Sequence, residues 1–370
     1  MIQDKYRICN RCVMDTNVPD IKFNDNGICN YCIDYFEKES KILLPSNERE
    51  KKYISIISKI KQKGKGKCYD CLIGLSGGVD SSYITYLAGE MGLKALVVHF
   101  DNGWNSELAV SNIEKLVTKY NLDLHTLVVN WNEFKGIQLS FFKASVPNIE
   151  IVTDHAIIST LYRIARKYKI KYLIAGSNIV TEGILPPAWG YDASDFYHIK
   201  SIHKLFGTGI FKTYPYMKMI NYFYYLLIGR VKKINLLNYI EYNKETAIKV
   251  LSEKVGWQYY GGKHYESVFT QFFQAYVLPT KFGFDKRRAH LSTLICSGQM
   301  TRENALQELD KPLYDEQLLK EHIDYINKKW EIDKDTFERI MNTPPRKHEE
   351  FPSNKRLIEF SVRLKKKLGL

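Results

Sequence analysis

A loop rich in glycine and hydroxyl side chains directly follows a short apolar run, and this junction most constrains the fold. The apolar residues 71–75 lead into Ser76-Gly77-Gly78-Val79-Asp80-Ser81-Ser82, and an amphipathic segment follows at residues 83–91. Glycine lets the backbone approach a ligand closely, and the first turn of a helix presents unpaired N–H groups to an anion. The sequence therefore predicts a strand, a phosphate-binding loop and a helix. The alternative is an ordinary Gly-Ser turn.

The loop differs from that of kinases and GTPases, which requires Gly-x4-Gly-Lys-Ser/Thr. No such lysine follows here, and Asp80 stands where a carboxylate can hold Mg²⁺ against phosphates. The loop resembles the pyrophosphate loop of the N-type ATP pyrophosphatases. Those enzymes cleave ATP between the α and β phosphates, adenylate a carbonyl-type oxygen, and let a nitrogen or sulfur nucleophile displace AMP.

Alternating strands and helices follow the loop. The pattern predicts strands at residues 70–75, 95–100, 125–129 and 172–175, with helices from residue 81, at 107–120, and at 154–169 with Asp154 as N-cap. This spacing predicts an α/β fold with a doubly wound parallel sheet. Ligands bind at the carboxyl ends of such strands, where residues 76–82, 101–104 and 176–182 fall.

Two cysteine pairs precede this region. Cys9-x2-Cys12 and Cys29-x2-Cys32 have the spacing of a four-cysteine structural zinc site, and residues 1–40 are too few to fold on an apolar core of their own. A redox dithiol is the weaker alternative, because thioredoxin-like motifs need a βαβ context. Metal binding is not expected at the further pair, Cys68 and Cys71.

Beyond residue 200 the pattern changes to short, aromatic-rich helices, predicted at residues 214–228, 245–255, 265–276, 288–297, 301–309 and 315–326. We therefore expect four parts. Residues 1–45 form a zinc ribbon and residues 46–67 a helix and hinge. Residues 68–205 form the nucleotide-binding domain, and residues 206–370 form a helical domain for substrate or partner.

Two further segments supply candidate site residues. Residues 176–183, with Gly176, Asn178 and Glu182, resemble a loop of NAD synthetase whose glutamate joins the loop aspartate on Mg²⁺. By that match Glu182 is the second metal ligand; the alternative is a solvated loop residue. Asp101 ends the second strand, where the adenosine site of this fold begins, although a plain strand-end aspartate fits equally well.

A basic cluster occupies residues 281–290. Such cations can neutralise charge that develops on a leaving pyrophosphate, although a basic helix start is usually just solvated. The residues concerned are Lys281, Lys286, Arg287, Arg288 and His290.

Over residues 5–345 the chain resembles the N-acetyl sugar amidotransferase family. The resemblance rests on the paired CxxC motifs, SGGVDSS, residues 100–104, Gly176-Ser177-Asn178 with Thr181-Glu182-Gly183, Pro186-x2-Trp189, and residues 281–305. It implies conversion of a sugar acetamido group to an acetamidino group in surface-polysaccharide synthesis. The sugar would be a UDP-linked diacetamido-uronic acid or a nonulosonic acid. The acetamido oxygen attacks the α-phosphate of ATP, pyrophosphate leaves, and ammonia then displaces AMP.

The resemblance also implies roles for particular residues. ATP would be held by Ser76, Gly77, Gly78, Val79, Asp80, Ser81, Ser82, Asp101, Gly176 and Asn178. Mg²⁺ would be held by Asp80 and Glu182, and catalysis would use these two with Lys281 and Arg287. Lys286, Arg288 and His290 would bind phosphate or the sugar carboxylate.

The ammonia source is expected to be a separate protein. The chain begins Met1-Ile2, and Cys296 lies in Ile295-Cys296-Ser297-Gly298, so neither an N-terminal cysteine nor a Gly-x-Cys-x-Gly elbow is present. The family resemblance implies glutaminase and cyclase-like partner subunits.

Composition leaves rival functions open. The net charge of +13 suits nucleic acid or anionic small molecules, and it also follows from a lysine-rich composition. A tRNA-modifying enzyme of the thiolase or lysidine-synthetase type is the main rival, and a non-catalytic zinc-ribbon interaction protein is the other. We expect a cytoplasmic protein without a membrane span and do not expect nucleic acid as its partner.

Overall fold

The computed structural model describes residues 6–227, 231–262 and 265–367. Parts of two predictions lie outside the described residues. They are residues 1–5 of the predicted ribbon, which include Met1-Ile2, and Ile228 at the end of a predicted helix. Residues 368–370 of the predicted helical domain also lie outside.

A five-stranded parallel sheet forms the centre of the molecule. Its strands are β1 (Cys71–Gly74), β2 (Ala95–Asp101), β3 (Asp123–Val128), β4 (Tyr172–Ala175) and β5 (Lys232–Asn235). They lie in the order β3-β2-β1-β4-β5, and every neighbouring pair is parallel. The four predicted strands are confirmed to within two residues at each end.

The fifth strand comes from the region predicted to be wholly helical. β5 pairs with β4 through the register Tyr172↔Lys232 to Ala175↔Asn235. Its sequence Lys-Lys-Ile-Asn has neither the apolar run nor the alternation that marks a strand, which is why sequence patterns missed it. The sheet therefore continues past residue 205, the predicted end of the nucleotide-binding domain.

Seventeen α-helices surround the sheet in the described part of the chain. The first eight are α1 (Asn30–Ile42), α2 (Ser46–Gly64), α3 (Val79–Glu90), α4 (Glu107–Lys119), α5 (Trp131–Ala144), α6 (Ile151–Lys167), α7 (Ile179–Glu182) and α8 (Phe196–Phe206). The next five are α9 (Met219–Leu227), α10 (Lys244–Val255), α11 (Val268–Phe272), α12 (Leu278–Phe282) and α13 (Arg287–Cys296). The last four are α14 (Arg302–Asp310), α15 (Glu316–Trp330), α16 (Lys334–Asn342) and α17 (Lys355–Lys367). None of the described helices has both the length and the apolarity to cross a bilayer.

Both faces of the sheet are covered, as a doubly wound fold requires. Successive strand residues point to opposite faces. Ile73 and Val97 pack in one apolar cluster with α2, α3, α4 and α10. Leu72 and Leu96 pack in another cluster with α6. This two-sided burial explains why the three central strands, β1, β2 and β4, are mostly apolar.

Helix α6 begins earlier than the sequence predicted. Asp154 was expected to be its N-cap, but Glu150 occupies that position and Asp154 lies in the first turn. Ile151 and Val152 are buried, so the helix extends to include these apolar residues. An aspartate in the first turn still interacts favourably with the helix dipole.

The cysteine-containing N-terminal segment packs against the C-terminal helices. It is stabilised by isolated antiparallel bridges, Ile8↔Asp15 and Phe23↔Cys29. Its cysteines, Met14 and Tyr35 belong to the same buried apolar cluster as residues of α5, α8 and α13. The segment is therefore joined to the rest of the molecule through a shared core.

Acid should weaken this fold through the buried residue His155. Its Nδ1 lies 2.6 Å from the Ala193 carbonyl oxygen, and its Nε2 accepts the Met217 N–H at 3.1 Å. Burial lowers the pKa of His155 to about 4. The unfolded chain protonates His155 near pH 6.5, whereas the folded chain protonates it only near pH 4. The contribution of His155 to the free energy of unfolding is therefore complete above pH 6.5 and decreases as the pH falls towards 4. The expected slope is about 1.4 kcal/mol per pH unit.

Denaturant unfolding between pH 7 and pH 4 checks this expectation. His155→Gln should remove this contribution to the slope, whereas His125→Gln, at a partly exposed position of β3, should leave the slope unchanged. Equal slopes in wild type and His155→Gln would contradict the assignment.

Candidate functional site

The loop after β1 is packed so tightly that one of its residues must be glycine. Gly77 has φ +86°, and a Cβ there would lie 2.8 Å from the Ala109 carbonyl oxygen of α4. The Gly77 carbonyl also accepts the indole N–H of Trp257 at 3.2 Å. The loop is thereby held between α4 and the residues after α10.

Hydroxyl groups order the loop from within. The Ser76 N–H donates to Ser81 Oγ at 3.3 Å, and the Gly78 N–H donates to Ser76 Oγ at 3.2 Å. The Val79 N–H donates to the hydroxyl of Tyr260 at 3.1 Å. Ser82, also predicted to bind pyrophosphate, is different: its hydroxyl is buried and has no hydrogen-bond partner among the described residues.

A pocket of about 170 Å³ opens at this loop. Residues 76–81 and 176–182, at the carboxyl edge of the sheet, supply most of its lining, and four residues from later in the chain complete it: Ser76, Gly78, Val79, Asp80, Ser81, Gly176, Ser177, Thr181, Glu182, Lys244, Tyr260, Glu266 and His290. The volume is below the roughly 300–1,000 Å³ of whole ligand sites. The pocket therefore suits part of a nucleotide, such as its phosphates.

Two carboxylates predicted to hold a metal meet in this pocket. Asp80 and Glu182 both line it. The Tyr242 hydroxyl donates to Asp80 Oδ1, and the Thr181 hydroxyl lies 3.5 Å from Asp80 Oδ2. Burial, and then the neighbouring Asp80 charge, raises the pKa of Tyr242, so this residue stays a neutral donor. These hydroxyls fix the orientation of the Asp80 carboxylate.

The chain around Glu182 is fixed by its own cap. Asn178 Oδ1 accepts the Thr181 N–H at 2.9 Å, and Asn178 Nδ2 donates to the Gly176 carbonyl at 3.1 Å. A Cβ on Gly176 would lie 3.2 Å from Asp80 Cβ, so this glycine lets β4 approach α3 closely. Gly176 lines the pocket as predicted, whereas the buried Asn178 side chain caps α7 and does not line it.

Asp101, predicted to serve the adenosine, organises the turn after β2. Its Oδ1 accepts the Gly103 N–H at 2.8 Å and the Asn105 amide at 3.1 Å, and its carbonyl accepts the Val129 N–H at 3.0 Å. Asp101 is not part of the pocket lining.

Most of the predicted basic cluster is used elsewhere. Lys281 Nζ donates to three carbonyls at the end of α16, at 2.5, 3.0 and 2.5 Å. Arg287 pairs with Asp285 at 2.9 Å and donates to carbonyls at the end of α14. Arg288 pairs with the buried Asp15 at 3.1 Å. The predicted gathering of these cations around a phosphate is therefore not what the structure shows.

The other two members of the cluster are His290 and Lys286. His290 lines the pocket, and its Nδ1 lies 3.3 Å from the Thr181 carbonyl. Lys286 pairs with Glu150 at 3.2 Å, one helical turn before His290.

Sequence reasoning missed four residues of the site. Lys244, Tyr260 and Glu266 line the pocket, and Tyr242 holds Asp80. Burial, and then the Glu266 charge, raises the pKa of Tyr260, which therefore also stays protonated. These residues come from irregular segments and helix starts after residue 240, where no motif or periodicity marks them.

A larger cavity of about 390 Å³ lies against α9 and is lined by Arg163, Tyr216, Met217, Lys218, Ile220, Asn221 and Tyr225. It shares no residue with the loop pocket and contains no carboxylate. The pocket at the loop is therefore the better candidate for ATP chemistry.

The four cysteines of the N-terminal segment come together as predicted. The sulfur atoms of Cys9, Cys12, Cys29 and Cys32 all lie within 4.8 Å of one another, and the side chains are fully buried. Cys9 and Cys32 are 3.9 Å apart, and Cys12 and Cys29 are 3.7 Å apart. A tetrahedral ion with metal–sulfur bonds of about 2.3 Å requires edges of about 3.8 Å. The cluster therefore fits such an ion.

Backbone donors and a fifth thiol surround the cluster. The backbone N–H groups of Arg11, Cys12 and Cys29 lie 3.2–3.5 Å from the Cys9 sulfur, where they can donate to a thiolate. Cys296 of α13 places its sulfur 3.7 Å from that of Cys32.

Parts of the chain match two protein families. Residues 66–181 match the thiamine biosynthesis protein family (ThiI), and residues 266–365 match the C-terminal domain of WbpG-like lipopolysaccharide (LPS) biosynthesis proteins. An uncharacterised protein of Methanocaldococcus jannaschii is 30% identical over 148 residues, which are 38% of this chain and 35% of that protein. The chain thus spans about a third of the curated relative it matches.

Three solved structures are similar at low identity. NMN synthetase from Francisella tularensis has 15% identity and a TM-score of 0.30, over 62% of this chain and 93% of that one. Ammonia-dependent NAD synthetase from Campylobacter jejuni has 18% and 0.29, over 58% and 94%. The U34-tRNA thiolase NcsA from Methanococcus maripaludis, with its [4Fe-4S] cluster, has 13% and 0.34, over 86% and 88%. Identities and TM-scores this low do not assign a function to the chain.

The match to the ThiI family covers the loop at residues 76–82 and strands β1 to β4 of the parallel sheet. The match to the WbpG-like domain begins after β5, the last strand of the sheet. Over residues 66–181 the chain is therefore similar to the ThiI family, and over residues 266–365 it is similar to the C-terminal domain of the WbpG-like LPS biosynthesis proteins.

Proposed function

We propose that the protein is an ATP-dependent, AMP-forming amidotransferase that converts an acetamido group of a sugar to an acetamidino group. The main support for this proposal is the pocket, in which Asp80 and other residues of the loop at residues 76–82 lie beside Glu182 and Lys244. The C-terminal match to WbpG-like proteins supports a surface-polysaccharide sugar as the acceptor. ATP as co-substrate makes the cytoplasm the expected site of reaction.

The chemistry needs activation because an amide oxygen is a poor leaving group. The acetamido oxygen attacks the α-phosphorus of ATP, and the bond to pyrophosphate breaks. Ammonia then adds to the resulting imidate carbon, the bond to AMP breaks, and loss of a proton leaves the amidine. Such steps depend on positioning and charge neutralisation more than on a covalent nucleophile.

The residues of the pocket match these needs. N–H groups and the Ser76 and Ser81 hydroxyls can donate to phosphate oxygens, as can the Lys244 ammonium. Asp80 and Glu182 are the hard oxygen ligands that Mg²⁺ takes beside phosphates and water, so they fit this ion. When bound, Mg²⁺ would neutralise phosphate charge.

The four-cysteine cluster is proposed to hold a structural zinc ion. Its sulfur–sulfur distances suit tetrahedral thiolate ligation, and all four side chains are buried, which closes the site to substrate. The proposed role is to stabilise the N-terminal segment.

A tRNA thiolase is the rival that the basic charge favours. Sulfur transfer through a cysteine persulfide needs a thiol beside the activated oxygen. No cysteine lines the pocket, and all seven cysteines belong to the described residues. Nitrogen transfer therefore fits this pocket better.

Metal analysis should find about one zinc per chain in the wild type. The double variant Cys29→Ser, Cys32→Ser should lose it, because two of four ligands are removed. Cys68→Ser, at an exposed cysteine outside the cluster, should keep it. Normal zinc content in the double variant would refute the assignment.

Removing either pocket carboxylate should suppress turnover. Asp80→Asn and Glu182→Gln remove charges that act mainly in the transition state, so each should cost about 3–4 kcal/mol, or two to three orders of magnitude in rate. The exposed controls Asp324→Asn and Glu316→Gln should keep wild-type rates. The wild type should release AMP and pyrophosphate in step with the amidine. Release of ADP and phosphate would mean γ-phosphoryl transfer and would rule out the pyrophosphatase mechanism.

The ammonia should come from a separate glutaminase. The sequence contains no Gly-x-Cys-x-Gly elbow, so we expect the pure chain to use ammonium and not glutamine. Rates of AMP formation with each nitrogen source check this expectation, and a glutaminase subunit added back should restore the use of glutamine. Glutamine-dependent turnover by the pure chain alone would contradict the split between subunits.

A further inference from the structure

Three polar side chains form a second cluster beside the phosphate pocket. Glu150 Oε2 accepts a hydrogen bond from Gln274 Nε2 at 2.9 Å and from Lys286 Nζ at 3.2 Å. The Glu150 and Lys286 side chains are 17% and 29% exposed, and Gln274 is half-buried. A ligand from solvent can therefore reach this cluster, which we call the Glu150 cluster.

The Glu150 cluster lies at the same edge of the sheet as the pocket. Glu150 is the N-cap of α6, and the first turn of α6 is joined to the end of β2 by the Asn102–Thr153 hydrogen bond of 3.3 Å. Lys286 is the N-cap of α13 and stands one helical turn, about 5.4 Å, before His290. Since His290 lines the pocket, the Glu150 cluster lies about one helical turn from it.

Gln274 is placed by an unusual stretch of backbone. It lies in a π-helical segment, Phe273–Val277, between α11 and α12. Pro279 has no N–H, and its ring crowds the carbonyl four residues earlier, which explains why the helix widens just before it. Such π-helical turns are rare and occur frequently at functional sites. Here the turn carries the side chain that binds Glu150.

The chemistry of the cluster suits a sugar better than a phosphate. A phosphate would present negative charge to Glu150 on every side, whereas a sugar can turn hydroxyl groups towards Glu150 and Gln274 and place its single carboxylate on the far side of the Lys286 ammonium. We propose that Glu150, Gln274 and Lys286 bind the acceptor, a hydroxylated acetamido sugar that carries a carboxylate. This binding would direct the acetamido oxygen at the α-phosphate in the pocket. The inference rests on the proposed function and locates its second substrate.

Steady-state kinetics of AMP formation would test the site, with ATP, ammonium and a UDP-linked diacetamido-uronic acid as substrates. The variants Glu150→Gln and Gln274→Met keep side-chain length. Each should raise the KM for the sugar about tenfold, the effect of losing one such hydrogen bond, and leave the KM for ATP unchanged. Gln317→Met, at an exposed glutamine of α15, is the matched control and should resemble wild type.

A second variant separates binding from a merely structural role. Lys286→Met should abolish the preference of the enzyme for the uronic acid over its methyl ester, because that preference would come from the ammonium. Thermal unfolding and ATP binding of each variant would show that the fold and the pocket are intact.

Three outcomes would overturn the inference. Unchanged sugar KM values in both isosteric variants would refute the site alone, while the proposed function would stand. An equal rise in the KM for ATP would assign the cluster to the nucleotide. Absence of AMP formation by the wild type with the uronic acid, and also with a diacetamido nonulosonic acid, would refute the proposed function and this inference with it.

Discussion

Helix α13 is the element through which the cysteine segment and the pocket at residues 76–82 are joined. Ser292 Oγ accepts the Val13 N–H of the cysteine segment at 3.2 Å, and Thr293 Oγ1 accepts the Ile184 N–H just after α7 at 3.0 Å. Both side chains are fully buried, where a donor without an acceptor costs about 1–3 kcal/mol. Consecutive residues of a helix point in different directions, so Ser292 contacts the cysteine segment while Thr293 contacts the residues after α7. The place of Glu182 at the end of α7 is thereby tied to the place of the cysteine segment.

Further contacts make this connection stiff on the side of the cysteine segment. The Arg302 side chain donates to the Cys9 and Cys12 carbonyls, both at 3.1 Å, and so binds the first CxxC pair directly. Tyr35 of α1 packs so closely on Gly183 that a Cβ there would lie 2.5 Å from the ring. A metal ion that holds the four thiolates would therefore also restrain the residue next to Glu182. In the proposed function, such an ion would therefore help to position Glu182.

Motifs and spacing predicted the parts of the site that lie within one continuous segment. The loop containing Asp80 and the four-cysteine cluster follow from local patterns, because a few neighbouring residues determine their geometry. Glu182 was found through resemblance to a known loop. The roles of Lys281 and Arg287 could not be predicted from sequence, because whether a long cation meets a ligand or the carbonyls at a helix end depends on tertiary packing. Lys244 and β5 were missed for a related reason, since each acquires its role only where distant segments meet.

The charges that line the pocket bear on how the proposed nucleotide and cation would bind together. Asp80, Glu182 and Glu266 face the same small volume as Lys244 and His290. A triphosphate brought beside three carboxylates meets repulsion that loop N–H groups and one ammonium offset only in part. A divalent ion placed between the carboxylates and the phosphates reverses the sign of that interaction, since each group then contacts opposite charge. If the pocket holds ATP as proposed, its acidic lining would favour a nucleotide that arrives with its cation over one that arrives alone.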